Sequence, residues 1–182
     1  MIAYFFNQKH AAMEKKRNTT TTFFTFRLGT GNFAIELSKV VKYCDFATLK
    51  SSKLSNENVL GDMVFNAYDL PVLNIRKQLG LPVLKLNPYT GVLVLKYFNG
   101  YQNVEFGIIF DGLDSLVEVS NNEILPFTKA GRKNNNKLIS GIAKTDNDYY
   151  LVMDVEKLVV NNFENIHYGV DTKENVFERV TV

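Results

Sequence analysis

The sequence contains a single cysteine, two histidines, four prolines and no tryptophan. With Cys44 alone, no intramolecular disulfide can form, and this cysteine usage suits a reducing cytoplasm. His10 and His167 stand near opposite ends of the chain, so a serine or cysteine triad lacks a central base and no His/Cys cluster offers a zinc site. No apolar run approaches the ~18 residues that a membrane helix needs, so we expect no direct membrane insertion.

The charges nearly cancel, with 21 Lys and Arg against 19 Asp and Glu, which gives a formal net charge of +2. So small an excess does not predict a nucleic-acid or anionic-membrane partner. Aromatic side chains beside basic ones can nevertheless bind single strands on a barrel surface. The best such set is Arg27, Lys96, Tyr97, Phe98 and Tyr101. A β-barrel binding module for nucleic acid or another ligand is therefore the alternative hypothesis.

What the sequence has in abundance is aromatic and aliphatic material. Hydrophobic residues make up 46% of the chain and include 14 Phe and 9 Tyr. Aromatic and β-branched residues favour strands, so the composition predicts a mainly β fold. A β-rich chain must protect its sheet edges, and two small closed barrels side by side would do so. Because each barrel would be too small to be stable alone, we expect a shared apolar seam that uses the aromatics.

A hairpin followed by a short helix is predicted twice. In each copy a glycine stands early in the first strand, Gly61 or Gly141, and a helix-capping residue, Asn74 or Asp154, follows the second strand. The two glycines and the two caps have the same separation along the chain. Another hairpin with a Gly-containing turn precedes each copy. The chain is therefore predicted to consist of two similar β-rich halves.

These patterns divide the chain into three predicted regions. Residues 1–22 have little apolar periodicity and are expected to form a flexible leader. Residues 23–160 are expected to fold, with a first barrel over roughly residues 23–90 and a second over roughly residues 91–160. Residues 161–182 are expected to form a polar C-terminal tail.

No arrangement of residues predicts catalysis. The Gly29-Thr30-Gly31 segment lies in a hairpin turn and not before a helix, which argues against a nucleotide-binding loop. The Asp146-Asn147-Asp148 segment partly fits a calcium loop, but the required glycine and twelfth-position glutamate are missing. Asp111 is expected to accept hydrogen bonds from local backbone N–H groups at the Gly112 bend. We therefore expect no catalytic residue, no metal and no cofactor.

The run from Phe23 to about Val160 resembles the CheW-like family in six segments that follow one another in the right order. Leu70-Pro71-Val72-Leu73-Asn74-Ile75-Arg76 is close to the family's P-V-I-D-L-R motif. Phe106-Gly107-Ile108-Ile109-Phe110-Asp111-Gly112-Leu113 is close to its x-G-L-V-V-D-x-V motif. The other segments are residues 24–35, which match F-x-L-G-x-x-x-Y/F-a-I, and residues 38–41, 138–143 and 151–158.

The resemblance implies two intertwined SH3-like five-stranded β-barrels with short helices. It also implies a non-enzymatic adaptor that joins the cytoplasmic tip of a transmembrane chemoreceptor to the regulatory domain of a CheA-type histidine kinase. Such a protein would be cytoplasmic and recruited to membrane receptor arrays through its partners. Structural positions are then expected at Gly61, Pro71, Gly107, Asp111, Gly141 and Asp154.

The sequence departs from the family at three positions that the resemblance implies face partners. The family usually has Asn-Leu-Arg-Gly at the turn of the central hairpin, and here Asn66 replaces the arginine and Ala67 the glycine. An amide cannot replace a charged fork of five donors. Lys42 replaces a glutamate, and a charge reversal changes partner choice more readily than fold. The expected partner-binding residues are Val40, Lys42, Asn66, Ala67, Tyr68 and Asp69.

Overall fold

The structure, a computed structural model, describes residues 19–46, 48–54, 56–82, 90–127 and 138–163. The Asn-rich segment 128–137, residues 1–18 of the predicted leader and residues 164–182 of the predicted tail lie outside these ranges. Within them the chain forms eleven β-strands, a 3-10 helix over Leu37–Lys39 and one α-helix. The elements are β1 (Thr20–Leu28), β2 (Gly31–Glu36), β3 (Val40–Asp45), β4 (Val59–Phe65), β5 (Tyr68–Leu73), β6 (Gly91–Phe98), β7 (Asn103–Phe110), β8 (Gly112–Ser120), β9 (Ile124–Pro126), β10 (Ile139–Lys144), β11 (Tyr149–Met153) and α1 (Val155–Phe163).

The strands form two sheets, and the order of neighbours shows that the sheets are intertwined. One sheet has the order β8-β1-β2-β11-β10-β9 and the other has the order β3-β6-β7-β5-β4. Each sheet contains one parallel pairing, β2 with β11 or β5 with β7. The other pairings are antiparallel, four in the six-stranded sheet and three in the five-stranded sheet. The predicted mainly β fold with two intertwined sheets is therefore confirmed, although one sheet has a sixth strand.

The boundary predicted near residue 90 does not separate the two sheets. The six-stranded sheet takes β1 and β2 from the first half, and the five-stranded sheet takes β6 and β7 from the second half. The strands β3 and β8 are exchanged, because each pairs with the first strand of the other half. The outer bounds also move, since β1 begins at Thr20 and α1 ends at Phe163.

Each sheet curls around an apolar cluster of its own, and a third cluster lies between the sheets. The five-stranded sheet encloses Met63, Phe65, Leu70, Val72, Val92, Val94 and Ile109. The six-stranded sheet encloses Phe23, Ala34, Val119, Ala143, Tyr150 and Val152. The cluster between them contains buried residues of β1, β2, β6, β7 and α1, including Phe26, Phe33, Phe106, Phe110 and Phe163. The predicted aromatic seam is therefore confirmed.

The repeat predicted from the two hairpins extends to their irregularities. The β4–β5 ladder shifts register between Val59 and Gly61, and the β10–β11 ladder shifts between Ile139 and Gly141. Strand β9 pairs with β10 at Gly141, and the corresponding position of the other sheet holds a single bridge between Lys50 and Asp62. The Lys50–Asp62 bridge is thus the short counterpart of β9. Gly61 lies against the backbone of Lys50, and Gly141 lies against the backbone of Leu125.

Two other predicted structural positions, Gly107 and Pro71, lie at or next to the parallel pairing of β5 with β7. Val72 of β5 stands opposite Gly107 of β7, and a Cβ on Gly107 would lie 2.7 Å from Val92 Cγ1 and 3.2 Å from Val72 Cγ2. The equivalent pair in the other sheet is Val152 and Ala34. Pro71, opposite Asp62, precedes the parallel ladder. Only a small residue fits at the close approach of these strands.

The close approach at Gly61 predicts a large loss of stability on substitution. A Cβ built there would lie 2.4 Å from the carbonyl oxygen of Lys50, and φ is +151°. We expect Gly61→Ala to lower the free energy of unfolding by about 3 kcal/mol, measured by urea denaturation. Gly80→Ala is the matched control, because φ is +69° there but no atom lies within 4 Å. It should cost about 1 kcal/mol, and equal losses at the two sites would contradict the close approach as the cause.

The segments after the two hairpins differ, although the sequence predicts a short helix in both. Asp154 caps α1 as predicted, since its Oδ1 accepts a hydrogen bond from Lys157 N–H at 3.1 Å. After Asn74 the chain forms only a hydrogen-bonded turn, in which Asn74 Oδ1 accepts from Arg76 N–H at 3.2 Å. Gly80, with φ +69°, ends this turn as expected of a C-terminal glycine. The predicted helix at 75–79 is therefore wrong.

Two further local predictions are corrected. The sequence of residues 38–43 predicts a short helix or tight connection, but the 3-10 helix gives way to strand β3 at Val40. The sequence of residues 113–119 predicts a short strand or turn, but strand β8 extends over nine residues. Among the described residues, no helix has the length and apolar character needed to cross a membrane.

Candidate protein-interaction site

The turn of the central hairpin presents two of the predicted contact residues. The sequence predicts a turn over residues 66–69. Asn66 and Ala67 alone separate β4 from β5, so Tyr68 and Asp69 lie at the start of β5 and not in the turn. Both turn residues are exposed and adopt positive φ, +47° for Asn66 and +69° for Ala67. Positive φ at both central positions is typical of a two-residue hairpin turn, where glycine is favoured. Ala67 therefore holds a conformation that its Cβ disfavours.

Tyr68 and Asp69 are both engaged within the chain. The Tyr68 hydroxyl donates a hydrogen bond to a carboxylate oxygen of Glu105 on β7. Burial, followed by the contact with Glu105, raises the pKa of Tyr68 above its usual value. Asp69 forms an ion pair with Lys50 at 3.3 Å, and both side chains are exposed. Such an exposed ion pair contributes little to stability. Because its side chain is exposed and the pair is weak, Asp69 remains accessible to a partner.

The other predicted contacts lie on β3. Val40 is half-buried and packs against the cluster between the sheets, whereas Lys42 is exposed. Val41 and Tyr43 are exposed to 39% and 53%, which is high for large apolar side chains on a strand. The Tyr43 ring lies 6.3 Å from the ring of Phe24 on β1 and so reaches the other sheet. Strand β3 therefore exposes two large apolar side chains and one positive charge.

The structure divides the six predicted contact residues into two groups. Val40 and Lys42 lie on β3, at one end of the strand order of the five-stranded sheet, and the other four lie at the β4–β5 end. Cys44 of β3 and Tyr68 of β5 pack against the same apolar cluster, which shows that the sheet curls around it. Burial within this cluster raises the pKa of the Cys44 thiol. The protein thus presents two patches on one curved sheet.

A groove between the two sheets was not anticipated from the sequence. It has a volume of about 600 Å³ and is lined by residues of β1, β3, β7 and β8, together with the start of β6. The lining residues that matter here are Arg27, Tyr43, Asp45, Phe110, Asp111 and Leu113. Because these side chains come from distant parts of the chain, no local motif marks the groove. Tyr43 connects it to the exposed surface of β3.

Asp111 lies at this groove. The hydrogen bonds to local backbone N–H groups at the Gly112 bend, expected from the sequence, are not formed, and its carboxylate has other partners. Its Oδ2 accepts a hydrogen bond from Gly29 N–H at 2.7 Å, and its Oδ1 forms an ion pair with Arg76. Arg76 is 1% exposed and also bonds Asn74 Oδ1 at 3.4 Å. The Asp111 carboxylate therefore joins the turn of one sheet to the end of β5 in the other, which makes it a tie between the sheets.

A second carboxylate supports the six-stranded sheet. Asp114 accepts hydrogen bonds from the Tyr150 hydroxyl at 3.0 Å and from the Thr25 hydroxyl at 3.5 Å. Thr25 also accepts from Ser115 N–H at 3.0 Å, where β8 carries an extra residue opposite β1. Burial, followed by the hydrogen bond to Asp114, raises the pKa of Tyr150 to about 12.

The raised pKa of Tyr150 predicts a loss of stability at alkaline pH. Above the ordinary tyrosine pKa of about 10, the unfolded chain releases a proton that the folded chain retains, so unfolding becomes easier until the folded pKa is passed. We expect the free energy of unfolding to fall by about 2–3 kcal/mol between pH 10 and 12. Tyr150→Phe should remove this part of the decline.

The measurement is urea denaturation followed by circular dichroism from pH 8 to 12. Tyr149→Phe is the matched control, because it removes an exposed tyrosine hydroxyl from the neighbouring position of the same strand. If the curve of Tyr150→Phe parallels that of the wild type throughout the alkaline range, the hydroxyl is not held by Asp114 as described.

The aromatic and basic set of the alternative hypothesis does not lie on one sheet. Arg27 belongs to β1 of the six-stranded sheet and lines the groove. The other members, Lys96, Tyr97, Phe98 and Tyr101, lie at the end of β6 and in the turn before β7 in the five-stranded sheet. A continuous basic and aromatic face is therefore not formed by these five residues. In the described part of the chain, no group of acidic, histidine and cysteine side chains could hold a metal ion.

Comparisons with known proteins agree with this architecture. A family model for the CheW-like domain matches residues 22–162. No curated protein matches the sequence. Among solved structures, the chain is similar to the scaffolding protein TtCheW from Thermoanaerobacter tengcongensis, with a TM-score of 0.66 and 15% identity over 75% of this chain and 90% of the other. The chain therefore belongs to the CheW-like domain family, a family of chemotaxis scaffold and adaptor proteins.

Proposed function

We propose that the protein is a non-enzymatic adaptor that joins the cytoplasmic tip of a chemoreceptor to the regulatory domain of a CheA-type histidine kinase. It would then work in the cytoplasm and be recruited to membrane receptor arrays by these partners. Family membership supports the proposal. The single structural observation that carries it is the groove of about 600 Å³ between the two sheets, which adjoins the exposed apolar surface of β3.

An adaptor needs two surfaces that can be occupied at the same time. The groove is a concave surface with aromatic and aliphatic walls, which suits a protruding partner segment. The β4–β5 turn is a convex surface whose tip, Asn66 and Ala67, is exposed. A few apolar residues with polar surroundings can carry most of the affinity at each surface. Coupling follows if the signalling states of the receptor differ in how tightly they hold the adaptor.

The departures from the family predict altered partner pairing. Asn66 can exchange neutral hydrogen bonds with a partner but cannot form the bidentate ion pair of an arginine. Lys42 is exposed and places a positive charge where the family has a negative one. A partner with an acidic side chain opposite Lys42 would be preferred over one with a basic side chain. We therefore propose that the cognate kinase or receptor carries a compensating charge.

Direct binding to the purified regulatory domain of the cognate kinase tests the proposed function. Isothermal titration should give a complex, and the absence of binding at ~100 μM would contradict the proposal. Lys42→Glu should weaken the complex if β3 contacts the kinase or the receptor. Lys144→Glu is the matched control, since Lys144 is exposed on β10 of the other sheet and belongs to neither patch. Equal effects of the two variants would indicate a general influence of charge.

A further inference from the structure

Arg27 differs from the other groove residues in charge and in what it contacts. Among the described residues that line the groove it is the only cation, and its side chain is exposed. Within the described ranges its guanidinium forms no hydrogen bond or ion pair. A guanidinium has five N–H donors in a planar fork that matches a carboxylate. The groove therefore contains an uncommitted donor group of the kind that recognises anions.

The guanidinium is positioned by packing. Arg27 of β1 pairs with Gly112 of β8, and a Cβ on Gly112 would lie 2.9 Å from Arg27 Nη2 and 3.4 Å from Nε. The side chain therefore lies against the backbone of Gly112, in space that any other residue would occupy. A group that is already placed loses less conformational entropy when a partner binds. Gly112 thus helps to keep the donors of Arg27 at the groove.

The nearest acids of the groove do not neutralise this charge. Both oxygens of Asp111 are used, one by Arg76 and the other by Gly29 N–H. Asp45, at the end of β3 on the other sheet, is exposed and also lines the groove. The groove therefore has a free positive charge on the side of β1 and a free negative charge on the side of β3. A bound segment would be oriented by this polarity.

We propose that the groove recognises a protein segment through one acidic side chain, whose carboxylate accepts hydrogen bonds from Arg27. An apolar neighbour of that side chain would pack against Tyr43 and Leu113. Asp45 disfavours a second acid on the opposite side and so selects for a single, placed carboxylate. The inference deepens the proposed adaptor function, because it names the chemistry by which the groove chooses its partner.

The first test is selection of peptides from a random displayed library on the wild-type protein. We expect the bound peptides to be enriched in Asp or Glu at one position, with apolar residues beside it. Replacing that acid by its amide should weaken binding about 10-fold, because a neutral amide forms weaker hydrogen bonds with a guanidinium than a carboxylate does. Selected peptides without an acidic position, or peptides whose amide versions bind equally well, would overturn the inference. This test requires no receptor or kinase.

The second test measures the selected acidic peptide against variants of the groove. Arg27→Ala should weaken binding about 10-fold, and Arg27→Lys should recover only part of the loss because an ammonium lacks the fork. Gly112→Ala should also weaken binding with no change of charge, because the added Cβ displaces the guanidinium. Asp45→Asn should strengthen binding. Lys96→Ala, a basic residue on β6 outside the groove, is the control and should have no effect.

The outcomes separate the two proposals. Acid-selective peptides that depend on Arg27, together with no binding of the cognate receptor tip or kinase, would support the groove chemistry and contradict the adaptor function. A receptor tip that binds wild type and Arg27→Ala equally would support the adaptor function and overturn the role of Arg27. Circular dichroism and the urea midpoint should be the same for wild type and Arg27→Ala, since the side chain is exposed.

Discussion

Replacing Arg76 by methionine should lower the free energy of unfolding by about 3–5 kcal/mol. The reason is the carboxylate that remains. Asp111 would keep only the hydrogen bond from Gly29 N–H, and its carboxylate, whose side chain is 18% exposed, would lose its cation in a site that is largely shielded from water. A buried charge without a partner costs several kcal/mol. Urea denaturation followed by circular dichroism measures the effect.

The double variant Arg76→Met with Asp111→Asn separates the charge from the packing. Methionine fills much of the space of the arginine stem, and an asparagine oxygen can still accept from Gly29 N–H, so no buried charge is left. We expect the double variant to lie within about 1–2 kcal/mol of the wild type. Lys77→Met, at an exposed neighbouring position, should change stability by less than about 0.5 kcal/mol. If the double variant is no more stable than Arg76→Met alone, the stranded charge is not the cause.

The ion pair accompanies the main difference between the two copies of the repeat, a turn in the first and a helix in the second. In the second copy Asp154 caps nine helical residues that pack Leu158 and Phe163 against the cluster between the sheets. In the first copy Arg76 turns inward to reach Asp111, and the chain makes a single turn before Gly80. The cap and the apolar spacing are similar in both sequences. The ion-pair partner of Arg76 lies between β7 and β8, far from Arg76 along the chain, so no local pattern identifies it.

Local features of the sequence predicted the strands, the hairpins and the repeat. The equal spacing of Gly61 and Gly141 was informative because each glycine marks a register shift under a crossing backbone, and that requirement acts within a few residues. The alternation of apolar residues likewise shows which side of a strand is buried. Both signals depend on residues close together in the sequence. They therefore predict where strands occur, but not which strands lie side by side in a sheet.

The exchange of β3 and β8 was outside the reach of such signals. Strand β3 pairs with β6, the first strand of the other half, and its mostly exposed residues carry no pattern that selects this partner over a strand of its own half. The groove depends on this exchange, because it lies where β3 of one sheet passes β1 and β8 of the other. In the sequence Arg27 is an ordinary exposed position on an alternating strand. Its place beside Gly112 emerges only from the tertiary fold.

Removing the Phe26 side chain should test whether the two sheets unfold together. Phe26 is fully buried on β1, and its ring lies 5.9 Å from Phe33 of its own sheet and 6.3 Å from Phe110 of the other. We expect Phe26→Ala to lower the free energy of unfolding by about 3–5 kcal/mol, because it removes a large ring from the cluster that both sheets share. Phe26→Leu should cost less, since it leaves a smaller cavity.

Hydrogen exchange of backbone amides distinguishes a shared core from two separate ones. If the seam holds both sheets, Phe26→Ala should reduce the protection of amides in β10 and in β6 by the same free energy, although β6 belongs to the other sheet. Val72→Ala, inside the cluster of the five-stranded sheet, is the comparison and should also lower both. A protein in which Phe26→Ala weakens β10 while β6 keeps its protection would consist of two independently stable sheets. The groove between them would then have no fixed width. Both the proposed adaptor function and the proposed recognition of an acidic segment by Arg27 require a groove of fixed width.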